Sequence, residues 1–239
     1  MNTQSDSLHP EPKTLAEAAY LQLRRDIISG KRAPGEKLRV EHLKDEYKVG
    51  AGTLREALAL LVADALVVAQ GQRGFRVAPI SLADMEDITR TRALLETEAL
   101  LQSIARGDDA WEGRLVAAFH RLSKAEERLG GQATAEVEEW DERNREFHEA
   151  LIDASGSRWV KHFLAVLYRQ SERYRHLSIT TRAIPRDLHS EHTAIVKAAL
   201  ARDQERACRL LNEHILLTLQ SIRQLPAAAL ASAESGARS

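Results

Sequence analysis

The sequence predicts a mainly α-helical protein, with an N-terminal winged helix-turn-helix followed by an all-helical second domain. Two observations support this fold class. Between Leu38 and Val77 the chain has two short helical patterns joined by a turn, then two apolar segments around Gly71 and Gly74. After Pro79 the helical periodicity continues almost to the end, without strand-like alternation. The order of elements between Leu38 and Val77 is typical of proteins that bind duplex DNA, so we expect the first third of the chain to bind DNA.

Composition indicates a globular, cytoplasmic protein. The 239 residues are enough for two domains of ordinary size, and 29% of them are charged, as is usual for soluble proteins. No apolar run reaches the ~18 residues that a membrane span needs. The polar N-terminus lacks the apolar core of an export signal. The only cysteine is Cys208, which excludes a disulfide framework. We therefore expect a cytoplasmic location and no membrane partner.

Charge is distributed unevenly along the chain. Residues 13–80 contain twelve Lys and Arg against eight Asp and Glu, whereas residues 81–239 contain 22 against 25. A basic N-terminal part beside an acidic remainder fits nucleic-acid contact by the first part alone.

The first domain is predicted over residues 13–80, after a polar tail at 1–12 that we expect to be disordered. Its first helix has apolar residues at helical spacing and ends at Gly30. Gly71 and Gly74 allow the positive φ angles that a tight wing turn needs. The predicted helices cover residues 15–29, 40–47 and 52–63, and the predicted wing strands cover 67–69 and 75–77.

The second domain is predicted over residues 81–224, after a short linker at 79–81. Ser81 followed by Asp84 has the pattern of a helix cap. The small-residue tail at 225–239 has no packing face, so we expect it to be disordered. The predicted helices cover residues 82–106, 109–130, 134–154, 157–178, 186–201 and 203–223, with breaks at Gly107, Gly130-Gly131, Gly156, Pro185 and Asp203.

Small and polar residues open the predicted recognition helix, whose first residues should face base edges in the major groove. Glycines there allow close approach, Thr53 can bond a base or a phosphate, and Arg55 can reach phosphate or guanine. Arg39 suits the flanking phosphate, and the wing tip suits the minor groove or the backbone. The candidate DNA-binding residues are Arg39, Gly50, Gly52, Thr53, Arg55, Gln72, Arg73 and Gly74.

Several motifs in this first domain resemble a known family. They are Pro34-Gly35-Glu36-Lys37-Leu38, Leu54-Arg55-Glu56-Ala57-Leu58, Leu61, Leu66 and the wing from Gly71 to Phe75. The chain resembles the GntR family of bacterial regulators over residues 13–223. Its helical remainder resembles the FadR-like subgroup in the branch called FCD, and within that branch the CsiR-type regulators. The resemblance implies a DNA-binding transcription factor whose helical FCD domain binds a ligand and forms a homodimer.

One departure from the family concerns the recognition helix. Family members often have Ser-Arg-x-Pro-Val-Arg-Glu-Ala-Leu here, whereas this chain has Ala51 in place of the first arginine. A base contact is thereby lost, so the operator sequence of relatives does not carry over.

Three histidines of the second domain lie beside apolar helix positions, so each can point into a helical bundle. They are His148, His192 and His214, and Asn144 shares a helix face with His148 because the two are four residues apart. Three imidazoles and one oxygen suit a divalent transition metal such as zinc or nickel, with a coordination position left open. By spacing alone, buried core histidines explain the pattern better.

The resemblance strengthens the metal interpretation. It implies a site made of Asp-x-x-x-His and two later histidines, at positions that match Asn144, His148, His192 and His214. Asn144 replaces the usual Asp, so the site keeps an oxygen ligand but loses one negative charge, which should lower its affinity for cations. The same change also permits a metal-free pocket that binds an anion directly.

In FCD domains the metal helps to hold a small carboxylate, and an arginine suits a carboxylate because guanidinium can grip it with two parallel bonds. Arg92 matches a helix position near the pocket. Further candidates for this role are Arg145, Arg173 and Arg175, although surface salt bridges account equally well for these arginines. Tyr168 and Tyr174 either line the pocket or serve only in core packing. The candidate effector-binding residues are Arg92, Arg145, Tyr168 and Arg173.

Together these observations favour a homodimeric repressor that leaves a palindromic double-stranded DNA operator when a small carboxylate binds. The CsiR-type resemblance implies that this effector is a dicarboxylate. Each protomer contributes one small winged helix, which contacts too little DNA for tight specific binding, so we expect two protomers on two half-sites. Helix 82–106 has an apolar stripe that includes Met85, Ile88, Ala93, Leu95, Ala99 and Ile104, and in relatives such helices help to form the dimer. The alternatives are a metal-ion sensor, an activator of the same architecture, and a constitutive architectural DNA binder. An enzyme is disfavoured, because no nucleophile elbow, phosphate loop or general-base motif is present.

Overall fold

The computed structural model describes residues 12–129, 134–180 and 187–225. The chain divides into two compact units, Met1–Ala78 and Pro79–Ser239. The two predicted tails lie outside the described residues except at Pro12 and Leu225, as do the predicted breaks at Gly130-Gly131 and Pro185. Within the described part of the chain, no helix is both long enough and apolar enough to cross a membrane.

The first unit contains three helices and a small antiparallel sheet. Its elements are α1 (Leu15–Ile28), β1 (Lys37–Leu38), α2 (Val40–Glu46), α3 (Ala51–Ala63), β2 (Val67–Ala69) and β3 (Phe75–Val77). The strand order is β1-β3-β2, with Leu38 opposite Phe75 and Val67 opposite Val77. The sequence did not predict β1, because a two-residue strand has no periodicity of its own and depends on its partner.

α1 and α3 of the first unit share an apolar core. Leu54, Leu58 and Leu61 lie on one face of α3 at helical spacing and have no exposed surface, and Leu23 of α1 is equally buried in the same cluster. This packing leaves the opposite face of α3 at the surface. The wing turn is a single 3-10 turn at Gly71–Arg73, and Gly71 and Gly74 have the expected positive φ angles of 56° and 89°.

The second unit is helical throughout its described residues. Its helices are α4 (Leu82–Arg106), α5 (Asp109–Arg128), α6 (Thr134–Leu151), α7 (Arg158–Thr180), α8 (Leu188–Leu200) and α9 (Gln204–Arg223). Side chains cap several N-termini: Ser81 accepts from the Asp84 amide in α4, and Asp108 accepts from the Trp111 amide in α5. α6 ends at Leu151, earlier than predicted, and a 3-10 turn at Asp153–Ser155 follows it.

A packed core connects these helices. Trp111 is completely buried and donates from Nε1 to the carbonyl of Ala150 at 3.0 Å. A Cβ on Gly107 would lie 2.3 Å from the Trp111 ring, so only glycine fits at the end of α4.

The expectation that the apolar stripe of helix 82–106 serves a partner chain is wrong for most of its residues. Met85, Ile88, Ala99 and Ile104 are buried inside the unit, and the other two stripe positions are partly buried against its core. A stripe at helical spacing is equally the signature of a core face, and here it packs on the unit's own helices.

Candidate functional site

The three predicted histidines meet in the interior of the second unit, although they come from three different helices. His148 of α6, His192 of α8 and His214 of α9 are all buried, and one ring nitrogen of each lies within 4.8 Å of the others. Their ring centroids are 4.6 to 6.1 Å apart. We call these three residues the triad. Three imidazole nitrogens this close together can bind one metal ion.

Each triad histidine is bonded to a glutamate through Nδ1. Glu96 of α4 contacts His148, Glu126 of α5 contacts His192 at 2.5 Å, and Glu191 of α8 contacts His214 at 2.8 Å. A carboxylate only accepts, so Nδ1 carries the proton and donates it, and Nε2 keeps its lone pair. A carboxylate behind the distal nitrogen is the arrangement that orients metal-binding histidines.

Nε2 atoms of two triad members have no partner. Nε2 of His148 and Nε2 of His192 are both buried without a hydrogen bond among the described residues. An unpaired buried acceptor is destabilising, and a metal ion would satisfy both atoms at once. The residues present therefore fit a divalent transition metal.

The protonation states also fit. Burial lowers the pKa of His148, against the opposing effect of Glu96. Burial alone would raise the pKa of Glu96, but the charge of Arg92 and the hydrogen bonds from Arg92 and His148 hold it below its ordinary value. At neutral pH the pair is thus a neutral imidazole beside a carboxylate, which is the state a metal needs because it binds the free lone pair.

Arg92 and Tyr168 lie beside the triad. Nη2 of Arg92 donates to Glu96 at 3.0 Å, and the guanidinium lies 4.9 Å from the centre of the Tyr168 ring. The Tyr168 ring is 6.0 Å from that of His148. Nε of Arg92 and the hydroxyl of Tyr168 are buried without a partner among the described residues. Both can donate to an anion next to the triad.

In the first unit, the predicted DNA-contacting residues lie on the outward face of the helix-turn-helix. Gly50 is the N-cap of α3, and Gly50, Gly52 and Arg55 are exposed, while Thr53 is partly so. A Cβ on Gly52 would meet nothing within 4 Å, so packing within the chain does not require glycine there. Close approach by a partner is a sufficient physical reason for it.

The remaining predicted contacts lie at the two flanks of α3. Arg39 is exposed at the N-cap of α2, and Arg73 is exposed in the wing turn, next to Gly74. The side chain of Gln72 lies outside the described part of the chain.

Comparison with known families identifies both units. Residues 15–77 match the bacterial regulatory proteins of the gntR family, and residues 87–217 match the FCD domain. The chain belongs to the GntR family. It is a DNA-binding transcriptional regulator rather than an enzyme, because the relatives that it matches are HTH-type transcriptional regulators.

Two relatives and one solved structure illustrate the likeness to this GntR-family chain. It is 48% identical to the uncharacterized HTH-type transcriptional regulator BphR of Paraburkholderia xenovorans, over 89% of this chain and 86% of BphR. It is 37% identical to the HTH-type transcriptional repressor GlaR of Escherichia coli, over 86% of this chain and 94% of GlaR. Among solved structures, E. coli McbR/YncC superposes with a TM-score of 0.70 at 21% identity, covering 88% of this chain and 98% of McbR/YncC. At that identity the superposition supports the fold only.

Asn144 is buried on α6, one turn before His148. Its carbonyl oxygen can act as a fourth ligand, but it is neutral where an aspartate would add a negative charge. The three glutamates behind the triad are negative groups that no sequence pattern predicted. Glu191 is adjacent to His192 in sequence, whereas Glu96 and Glu126 come from distant helices and had no local signal.

The other predicted effector residues of this GntR-family chain have partners elsewhere. Arg145 of α6 donates to Glu172 of α7 at 2.7 Å, and Arg175 donates to Asp141 at 3.1 Å, so a partly buried and a buried ion pair join the two helices. Arg173 is buried and donates to Gln170 at 3.4 Å. The hydroxyl of Tyr174 bonds Ser81 and Asp84 at the start of α4.

Proposed function

We propose that this GntR-family protein is a cytoplasmic homodimeric repressor, released from a palindromic DNA operator when a small carboxylate binds in its helical unit. The observation that carries the proposal is the triad beside Arg92 and Tyr168, in which Nε2 of His148 and Nε2 of His192 have no partner among the described residues. Repression as the mode of action is supported by the 37% identity to a protein named as a repressor.

His148, His192, His214 and Asn144 would hold the metal ion, zinc or nickel by the chemistry of its ligands. The ion, when bound, supplies a positive charge that attracts a carboxylate oxygen. Arg92 then donates from its free Nε and Tyr168 from its hydroxyl to the same anion. All of these groups are buried, and a buried charged hydrogen bond is stronger than one in water. Arg145 and Arg173 have other partners, so we place the effector on Arg92 and Tyr168.

DNA contact is proposed through the N-terminus of α3, with Gly50, Gly52, Thr53 and Arg55 in the major groove. The remaining candidate contacts, Arg39, Gln72, Arg73 and Gly74, are proposed to reach the flanking backbone and the minor groove. A single winged helix contacts too little DNA for tight specific binding, and two copies on two half-sites remedy this.

Exposed apolar residues on α4 and α7 support the homodimer. Arg106 of α4 bonds the Ser155 carbonyl just before α7, and Arg92 lies over Tyr168, so the two helices run antiparallel. This register places exposed side chains of the two helices at similar levels. They are Leu94 and Leu101 of α4 and Trp159 and Phe163 of α7. Apolar surface on neighbouring helices is suited to burial against a second copy of the chain.

α4 connects the effector site to the DNA-binding unit. It carries Arg92 and Glu96, and it begins at Leu82, a few residues after β3, the last strand of the first unit. A carboxylate that binds one arrangement of the dimer better than another shifts the population toward that arrangement. The operator is released if the favoured arrangement spaces the two α3 helices wrongly for the half-sites.

The test is fluorescence anisotropy with a labelled operator, selected in vitro from random DNA by the purified full-length protein. Mono- and dicarboxylates are titrated into the complex, with and without zinc or nickel. We expect at least one carboxylate to weaken DNA binding in the wild type and to have a smaller effect on Arg92→Gln. If no carboxylate changes the affinity for DNA, the proposed mechanism is wrong.

A second candidate function is a metal sensor, in which the ion itself is the signal. The buried position of the triad favours this candidate, because His192 has no exposed surface. A metal ion alone, without a carboxylate, would draw together the ligands from three helices. In that case the affinity for DNA follows the metal concentration without any carboxylate in the same assay.

A further inference from the structure

Glu96 contacts both halves of the candidate site. Its Oε2 accepts from Nη2 of Arg92 at 3.0 Å, and its Oε1 accepts from Nδ1 of His148. Glu96 has no exposed surface, and the two side chains that it contacts are at least nine-tenths buried. The proposed anion-binding arginine and a proposed metal-binding histidine therefore share one buried carboxylate.

A carboxylate divided between two donors transmits changes from one to the other. In the absence of an effector, Arg92 draws negative charge toward Oε2 and weakens the acceptor at Oε1. An incoming carboxylate that binds Nε of Arg92 shares the positive charge of the guanidinium with Glu96 and weakens the bond from Nη2. More of the Glu96 charge then faces the Nδ1 proton of His148, which makes Nε2 a better electron donor.

We propose that Glu96 is a positioning residue that couples the two ligands: a carboxylate at Arg92 tightens the binding of metal by His148. This inference rests on the proposed function, because it assumes a metal at the triad and an anion at Arg92. Linkage makes the effect reciprocal, so bound metal also raises the affinity for the carboxylate by the same factor.

Glu126 provides a matched control within the same chain. It accepts from Nδ1 of His192 at 2.5 Å, as Glu96 does from His148. Its second oxygen accepts from His189, which lies at the surface with 55% of its side chain exposed. Glu126 thus supports a triad histidine without a bond to Arg92.

The experiment measures zinc affinity by competition with a chromogenic chelator, using full-length wild type, Glu96→Gln and Glu126→Gln. Each is measured with and without a high concentration of acetate, the probe carboxylate, with sodium chloride keeping the ionic strength constant. Both variants should bind zinc about 10–100-fold more weakly, because each loses the carboxylate behind a ligand. Acetate should tighten zinc binding by about 10-fold in the wild type and in Glu126→Gln, within the usual range of coupling. In Glu96→Gln acetate should tighten zinc binding clearly less than in the wild type, because only the direct attraction between acetate and the metal remains.

Arg92→Gln supplies an independent test that does not alter Glu96. Without the competing guanidinium, Glu96 already gives its full charge to His148. We therefore expect this variant to bind zinc more tightly than the wild type, with less further tightening by acetate. A purely structural role for Arg92 predicts weaker binding instead, so the sign separates a structural role from an electrostatic one, and Glu96→Gln then tests whether Glu96 transmits the effect. Circular dichroism and the melting temperature show whether each variant is folded, and Arg92→Gln serves alone if Glu96→Gln does not fold.

The remaining outcomes separate this inference from the proposed function. If acetate tightens zinc equally in the wild type and Glu96→Gln, the anion acts on the metal directly; the proposed function stands and the coupling through Glu96 is refuted. If acetate has no effect on the wild type, the coupling is also refuted. If the wild type does not bind zinc or nickel at all, the metal part of the proposed function fails, and the inference fails with it.

Discussion

Replacing His192 by alanine should remove the stabilisation of this regulator by metal. Nε2 of His148 and Nε2 of His192 are buried without a partner. Each such atom destabilises the metal-free protein by about 1–3 kcal/mol, so coordination can return about 2–6 kcal/mol. A ligand at 100 times its Kd adds about 2.7 kcal/mol, which for a unit of this size raises Tm by about 5–10 °C. We expect zinc to give this shift in the wild type and almost none in His192→Ala.

His189→Ala is the control for that experiment. His189 lies on the same helix and bonds the same Glu126, but it is exposed and stacks on Phe119. The assay is a thermal melt of chelator-treated protein with increasing zinc, and His189→Ala should keep the wild-type shift. The reasoning is refuted if His192→Ala keeps the full shift, or if the two variants lose it equally, because zinc would then bind outside the triad.

Three further predictions concern other parts of the molecule. Arg55→Ala should weaken operator binding by about 1–3 kcal/mol if Arg55 reads a base, whereas loss of a phosphate contact alone should reduce the salt dependence; anisotropy at several salt concentrations distinguishes these. Tyr174→Phe removes the hydrogen bond to Asp84 and should lower the free energy of unfolding, measured in urea, by about 0.5–1.5 kcal/mol. We also expect the effector to release a smaller fraction of this variant from DNA. Burial raises the pKa of Asp141 to about 6 from an ordinary 3.8, so its folded form holds a proton more tightly than the unfolded chain. The associated stability is present below pH 4 and is lost as the pH rises to about 6, by on the order of 3 kcal/mol. Asp141→Asn should lack this component in unfolding measured between pH 4 and 7, and an unchanged pH profile would contradict it.

Local signals explain why most elements were predictable from the sequence. α4 begins and ends at the predicted residues because Ser81 caps it and Gly107 cannot be replaced beside Trp111. The wing turn was predictable because only glycine readily adopts its positive φ angles. β1 was missed because its two residues are ordered only by pairing with β3.

The candidate site was predictable only in part. The resemblance to the family supplied His148, His192 and His214, and the structure brings them together. It supplied no signal for Glu96 or Glu126, which lie 52 and 66 residues from the histidines that they contact. Contacts of that kind depend on helix packing, which spacing along one helix cannot reveal. The assignment of DNA, metal and effector contacts to individual residues stays a prediction.

The hydrogen bonds between Tyr174 and the backbone of Ser81 limit how far the linker lets the DNA-binding unit move. Tyr174 holds the backbone of Ser81 through its hydroxyl, and β3 ends at Val77. From Val77 to Ser81 the chain makes four Cα–Cα steps, which span at most about 14 Å when fully extended. In the proposed homodimer, each recognition helix is therefore on a short tether whose fixed end belongs to the helical unit. If the homodimer forms as proposed, we expect the distance between the two Tyr174 hydroxyls to limit which half-site spacings it can bind, so that the ligand-binding unit contributes to the choice of operator.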